Sequence, residues 1–240
     1  MKWRLIMGKN CLREVVRQLP YQLIEVYTSA KKDPLLDEID RAGIPIFSTS
    51  KKKLSALVQS ESHQSFVAKV RISHLPSLKQ WVAELGPKSL VILCDSLADP
   101  HNLGAILRAA ECFGAAGVVY SKNRSVAITP VVSKVSVGAS ELVPTFAIAN
   151  LAEAVRMLQQ ADFTIVAAQR SQKATSLFTW TFADHSALIL GAEGVGIQPL
   201  LRRLADHHLE IPLAGQIDSL NVSQAAAVFL AHWSQQVHQC

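Results

Sequence analysis

Apolar residues along this chain recur in two rhythms. Leu90-Val91-Ile92-Leu93-Cys94 is an unbroken apolar run, the mark of a parallel strand covered on both faces. Leu12, Val15, Val16 and Leu19 instead repeat at helical spacing, and Pro20 stops them. Asn10 is the expected cap of that helix. The following residues alternate in the same way. A strand is expected over 23–27, then a helix opened by Asp33-Pro34 and stopped at Gly43. A strand over 44–47, a helix capped by Ser50 and reaching Val58, and a strand over 66–72 complete a small α/β domain, residues 1–75.

Pro76, Gly86 and Pro87 surround a short helical piece, so 76–88 reads as a linker. From Ser89 the alternation restarts, and 89–240 forms the second domain. Strands are expected over 90–94, 118–120, 163–168, 187–190 and 209–212. Helices are expected over 102–113, 129–137, 150–161, 198–205 and 219–237, with Asn150 and Glu153 placed as a capping box. Repeated strand–helix–strand units imply a parallel, doubly wound sheet.

Charge changes the picture by position. Residues 1–75 hold thirteen Lys and Arg against seven Asp and Glu, a net of +6, whereas the rest of the chain is at −1. A basic module beside a neutral one suits a polyanion-gripping domain joined to a different functional domain. Aromatics are only 6% of the residues, so no stacking platform is expected. Cys11, Cys94, Cys112 and a loose Cys240 lack CxxC spacing, and the eight histidines are scattered. Neither a disulfide framework nor a metal site is expected. No run is long enough to span a membrane and the start does not read as a signal peptide, so a soluble, cytoplasmic protein is expected.

Three segments pair a strand end with a polar turn. The first runs from Asp95 through Asp99-Pro100 to Arg108, with Asn102 at the expected helix N-cap. Arg108 falls off the apolar stripe of Leu103, Ile106, Leu107, Ala110 and Phe113. The second is Gly191-Ala192-Glu193-Gly194-Val195-Gly196. Its GxxGxG spacing differs from the GxGxxG of dinucleotide binders, and no GK[ST] is present. Its glycines let backbone approach a ligand closely, and Glu193 adds an anion at the strand end. The third is Ile211-Pro212-Leu213-Ala214-Gly215, followed by Ser219-Leu220-Asn221-Val222-Ser223. Three capping-type side chains within five residues exceed what one helix start needs.

In this order the segments resemble the SpoU (TrmH-like) class of RNA ribose 2'-O-methyltransferases, over roughly 89–235. Gly8-Lys9-Asn10, His63-Gln64 and Asn123-Arg124-Ser125 leading to Lys134 add a likeness to members that methylate a guanosine ribose in large-subunit rRNA. Ser65 stands where those members usually carry glycine, and Leu213 where many carry methionine. The resemblance implies a parallel-sheet catalytic domain with a C-terminal trefoil knot, preceded by a small α/β RNA-binding domain. It implies S-adenosylmethionine as cofactor, 23S rRNA as partner, and a homodimer formed through the knotted domain. By the same resemblance Gly191, Ile211, Leu213 and Leu220 contact the cofactor. Asn102, Arg108, Glu193, Ser219 and Asn221 carry the catalysis on the RNA side. A guanidinium holds its proton tenaciously, so Arg108 is read as stabilising the developing alkoxide and pairing a phosphate. A tRNA target and a non-catalytic RNA-binding or ribosome-assembly protein are the alternatives.

Overall fold

The computed structural model describes residues 2–171 and 174–237; Cys240 lies outside them. In chain order the first elements are β1 (Trp3–Met7), α1 (Lys9–Gln18), β2 (Leu23–Thr28), α2 (Pro34–Arg41), β3 (Ile46–Ser48), α3 (Lys51–Val58), β4 (Phe66–Arg71) and α4 (Leu78–Ala83). Then come β5 (Ser89–Asp95), α5 (Pro100–Cys112), β6 (Gly117–Ser121), α6 (Pro130–Val135), α7 (Ala139–Leu142), β7 (Thr145–Ile148), α8 (Leu151–Gln160) and β8 (Thr164–Ala168). The last are β9 (Thr175–Ser176), β10 (His185–Gly191), α9 (Pro199–Leu204), β11 (His207–Glu210) and α10 (Val222–Val237). They form two compact units. One holds the described residues up to His74 together with Ile128–Leu142; the other holds Leu75–Ala127 and the described residues from Val143 on.

The first unit is a four-stranded sheet in the order β1-β4-β2-β3, with β4 antiparallel to both neighbours and β2 parallel to β3. One sheet face buries Ile6, Val26, Phe66 and Ala68 under Leu12 and Val15 of α1 and Leu35 and Ile39 of α2. The other face packs Met7 and Val67 against Leu54 and Val58 of α3. Asp33 caps α2 by accepting the Leu35 N–H at 3.0 Å, and Ser50 caps α3 by accepting that of Lys53 at 3.3 Å. Asn10 does not cap α1. The N-cap is Gly8, at φ 101° and ψ 139°, a conformation nearly closed to other residues, and Asn10 lies inside the first turn. Strand β1 was not among the expected elements, because five residues offer too little alternation to separate from a helix; its partner β4 lies some sixty residues away.

Residues 128–142 belong to this unit through a polar anchor. Arg4 donates from Nη2 at 2.8 Å and from Nε at 3.2 Å to Glu141 Oε2, and from Nη2 to the Ser140 carbonyl at 3.0 Å. The Glu141 side chain is 2% exposed, and the Ser133 and Ser140 hydroxyls donate to its Oε1. A buried carboxylate needs such company.

The second unit is a seven-stranded sheet in the order β7-β6-β5-β10-β8-β11-β9, parallel at every step. Every residue of β5 is buried, as a strand covered on both faces requires. Trp81 and Val82 of α4, the α8 residues Val155 and Leu158, and Leu201 of α9 pack on the face that presents Val91, Leu93 and Ile189. The residues 76–88 expected as a linker therefore contribute side chains to this core. Leu90, Ile92 and Cys94, of opposite parity, are equally buried; α5 and α10 pack on each other, α5 also on β6 and α10 on β10. From β5 the chain winds outward to β6 and β7, then returns to the far side of β10. The change of direction falls at the β5–β10 seam, where open α/β sheets bind ligands beyond the carboxyl ends of the strands.

Candidate active site

Parallel pairing sets Gly191 of β10 opposite Asp95 of β5, so the loops after these strands start side by side. In the first loop Asp99, not Asn102, caps α5, accepting the His101 N–H at 2.8 Å with Pro100 in the first turn. The capping duty is taken three residues earlier than expected. That frees the Asn102 side chain, which is largely buried at 8% exposure. Its Nδ2 donates to Glu193 Oε1 at 3.1 Å. Asn221, just before α10, donates from Nδ2 to Asn102 Oδ1 at 3.0 Å and also to Glu193 Oε1. The orientation of Asn221 is fixed in turn, because its Oδ1 accepts the Ser223 N–H at 2.8 Å and the Ser223 hydroxyl at 2.6 Å. Three segments separated by about 91 and 28 residues thus converge on one carboxylate oxygen. Among the described residues no hydrogen bond or ion pair engages Glu193 Oε2.

A second polar knot of contacts, absent from the sequence reading, sits beneath the first. Asp95 is fully buried. Its Oδ2 accepts the Gln198 backbone N–H at 2.8 Å, and its Oδ1 accepts Gln198 Nε2 at 2.5 Å and the Ser96 hydroxyl at 2.9 Å. Arg124 donates to Gln198 Oε1. Ser96 turns the chain out of β5 at φ 59°, and the Leu97 N–H and carbonyl are held by Ser125 Oγ and the Val126 N–H. The loop after β5 is therefore clamped to the start of α9 and to residues 124–126. A lone carboxylate ending an apolar strand was the available signal.

Gly191 has a steric reason within its own loop. A Cβ there would lie 2.3 Å from the Gly196 carbonyl carbon and 2.4 Å from the Ile197 nitrogen. The turn between closes with the Gly196 N–H donating to the Ala192 carbonyl at 2.8 Å and with Gly194 and Gly196 at φ 75° and 71°. This tight return holds Glu193 out toward Asn102.

The remaining expected residues are not drawn into the cluster. Arg108 is exposed on α5, and among the described residues it makes no hydrogen bond or ion pair. Ser219 is exposed and, among the described residues, reaches only its neighbour Asp218, at 3.4 Å. Residues 211–221 have no regular structure; Ile211 is half-buried there, and Leu213 and Leu220 expose 37% and 38%. Apolar side chains on an irregular backbone with open donors and acceptors suit an adenosine, which needs dry faces and a read polar edge. No group of three metal-ligating side chains occurs among the described residues, and no helix among them is long and apolar enough to cross a membrane.

A parallel doubly wound sheet with this convergence of loops defines the class. Residues 89–231 match the SpoU rRNA Methylase family, and residues 5–76 match the RNA 2'-O ribose methyltransferase substrate binding family. The chain belongs to the SpoU family. Within it, the chain is 34% identical over 236 residues to the 23S rRNA (guanosine-2'-O-)-methyltransferase RlmB of Pasteurella multocida, covering 94% of this chain and 95% of that one. It is also 34% identical over 237 residues to RlmB of Shewanella oneidensis, covering 95% and 96%. Among solved structures, the SpoU methyltransferase AviRb from Streptomyces viridochromogenes, crystallised in complex with the cofactor AdoMet, superposes with a TM-score of 0.81. The identity is 20%, with 97% of this chain and 89% of that chain covered.

Proposed function

We propose that this chain transfers a methyl group from S-adenosylmethionine to the ribose 2'-oxygen of a guanosine in 23S rRNA. The observation that carries the reading is the convergence of Asn102 and Asn221 on Glu193 Oε1, with Oε2 of the same carboxylate left open. It is supported by end-to-end similarity to RlmB enzymes. Residues 1–75 serve as the RNA-gripping domain and 89–240 as the catalytic domain. The catalytic domain carries the trefoil knot of its class and pairs through it with a second copy. The exposed Arg108, without a partner within the described chain, fits a site completed across that pair. An rRNA substrate places the enzyme in the cytoplasm.

When bound, S-adenosylmethionine supplies a sulfonium methyl that is already electrophilic. The protein's work is then to orient the sugar and manage one proton. Ile211, Leu213 and Leu220 would hold the apolar faces of the adenosine, and the backbone at Gly191 would read its polar edge. Asn102 and Asn221 fix Glu193, whose Oε2 accepts the hydrogen bond of the 2'-hydroxyl and takes its proton as the oxygen is methylated. Ser219, exposed at the rim, adds a hydroxyl on the RNA side. Arg108 sets its charge against the oxygen as it becomes an alkoxide and pairs a neighbouring phosphate. Orientation of this kind supplies about 7–11 kcal/mol of rate enhancement.

The test is Arg108→Ala assayed beside wild type. The variant is expected to fold, to release heat on titration with S-adenosylmethionine as wild type does, and to lose methyl transfer. Wild-type turnover in the variant would remove Arg108 from the reaction. Absence of donor binding by the wild-type chain would overturn the whole reading.

A further inference from the structure

The first unit's sheet has a face that α3 covers only in part. Cross-strand pairing puts Met7, Val67, Tyr27 and Phe47 in one row across it, Leu5, Lys69 and Glu25 in the next, and Trp3 with Arg71 in the third. Paired residues share a face. Leu54 and Val58 of α3 close over Met7 and Val67, with Val131 of α6 and Leu5 packed at the edge of that cluster, while Trp3, Arg71 and Phe47 at the periphery of the face stay exposed. Trp3 is 51% exposed and Phe47 47%. Three aromatics distant in sequence thus meet on one surface, where the composition had given no reason to expect a platform.

These side chains are held in place. The Tyr27 and Phe47 rings stack with centroids 5.7 Å apart and planes 29° apart. The Tyr27 hydroxyl donates to Glu25 Oε1 at 2.7 Å, and Lys69 Nζ lies 3.3 Å from the same oxygen. The Lys69 ammonium also sits 4.4 Å from the Trp3 ring centroid, a cation–π contact. The Tyr27 phenol holds the Glu25 carboxyl below its ordinary range, the lysine ammonium adding to the effect. The platform's own charges are thereby matched; Lys69 occupies one face of Trp3 and Tyr27 one face of Phe47, and the exposed remainder of both rings is left for a ligand. Around the rim stand cations: Arg71 on β4 and Lys51, Lys52 and Lys53 at the start of α3, all exposed.

Flat aromatic faces on an open sheet with a basic rim fit one kind of occupant. Bases have π-faces that stack on aromatics without regard to sequence, and phosphates seek arginine and lysine. A double helix keeps its bases stacked inside and cannot use such a surface. We propose that the Trp3–Tyr27–Phe47 face binds a single-stranded segment of the RNA substrate, bases stacking on Trp3 and Phe47 and phosphates meeting Arg71 and Lys51–Lys53. β1 and β3 are three strand spacings apart, about 14 Å, and Trp3 lies two rows, about 13 Å, from Phe47 along the strands, so a single strand crossing the sheet diagonally over about 19 Å engages both rings. The proposal rests on the assignment of RNA as substrate and adds where a single strand is gripped.

The test uses the full chain with two probes: a short single-stranded RNA carrying 2-aminopurine, and unmodified 23S rRNA. Wild type is expected to quench the fluorescent base. Trp3→Ala and Phe47→Ala should each weaken binding about 5- to 150-fold, with quenching reduced, while Trp3→Phe keeps most of both. The Michaelis constant for rRNA should rise with turnover at saturating RNA unchanged, and melting curves should show the variants folded. Arg71→Gln should lower the salt slope of binding by about 1, whereas the aromatic variants leave the slope alone. Unchanged RNA affinity in both alanine variants, with wild type active on rRNA, would overturn the platform but not the enzyme. Altered self-association in those variants with RNA binding intact would assign the face to a second copy of the chain instead. A wild-type chain that quenches the oligonucleotide but methylates no rRNA would uphold the platform and remove the enzymatic reading.

Discussion

Replacing Gln198 by alanine tests the clamp beneath the site. Asp95 is a carboxylate with no exposure to water, and Gln198 gives it two of its three donors. Alanine keeps the backbone N–H to Oδ2 and leaves the Ser96 hydroxyl on Oδ1, so only the 2.5 Å amide bond is lost. One hydrogen bond to a buried charge is worth about 1.5–3 kcal/mol. For a chain of this length each kcal/mol moves the melting temperature by about 2–4 °C, so a fall of about 3–12 °C is expected in a thermal scan. The loop from Gly191 to Ile197 and the loop after Asp95 would then be held less firmly, and the Michaelis constant for S-adenosylmethionine should rise. Asp95→Asn combined with Gln198→Ala should cost less than the sum of the single changes, since each removes the other's partner. An unchanged melting temperature in Gln198→Ala, or strict additivity in the cycle, would refute the clamp.

Gly191→Ala should abolish activity and lower stability, because its methyl group would sit 2.3 Å from the backbone of Gly196; a melting curve and activity like wild type would contradict this. Ser65 occupies left-handed backbone at φ 67°, which costs a non-glycine residue about 1–2 kcal/mol. Ser65→Gly should therefore raise stability by up to about 1 kcal/mol once the glycine's extra unfolded freedom is subtracted, readable in a denaturant titration. Burial pushes the Cys94 thiol up to about 12 from an ordinary 9.0, with the Asp95 charge adding to the effect. A pKa raised by folding confers stability that is complete below the unfolded value. Stability should thus fall from about pH 9 toward pH 12, at about 1.4 kcal/mol per pH unit from this thiol. Cys94→Ala should flatten that slope in urea titrations across the interval.

Much of the second unit could be read in the chain because its signals are local. The apolar run of β5, the DP turn and the strand-end glycines each announce themselves within a few residues. The caps were less legible. Asn102 and Asp99 are both good N-caps, and only the structure shows Asp99 taking the duty and releasing Asn102 to Glu193. Asn10 was displaced as a cap for a different reason: Gly8 already takes up the turn into α1 at positive φ. What escaped depends on distant pairing. β1 exists because β4 lies beside it. The Asp95–Gln198 clamp joins residues 103 apart. The aromatic face needs β4 to join β1 to the β2–β3 pair, which no composition can show. Residues 128–142 read as part of the second domain's alternation, yet Arg4 and Glu141 anchor them in the first unit.

The most direct measurement of the account is transfer of radiolabelled methyl from S-adenosylmethionine to unmodified 23S rRNA and to tRNA, followed by mapping of the modified ribose. Label is expected on the 2'-oxygen of a guanosine in 23S rRNA and is lost with Arg108→Ala. Label confined to tRNA, or label on neither RNA, would contradict it.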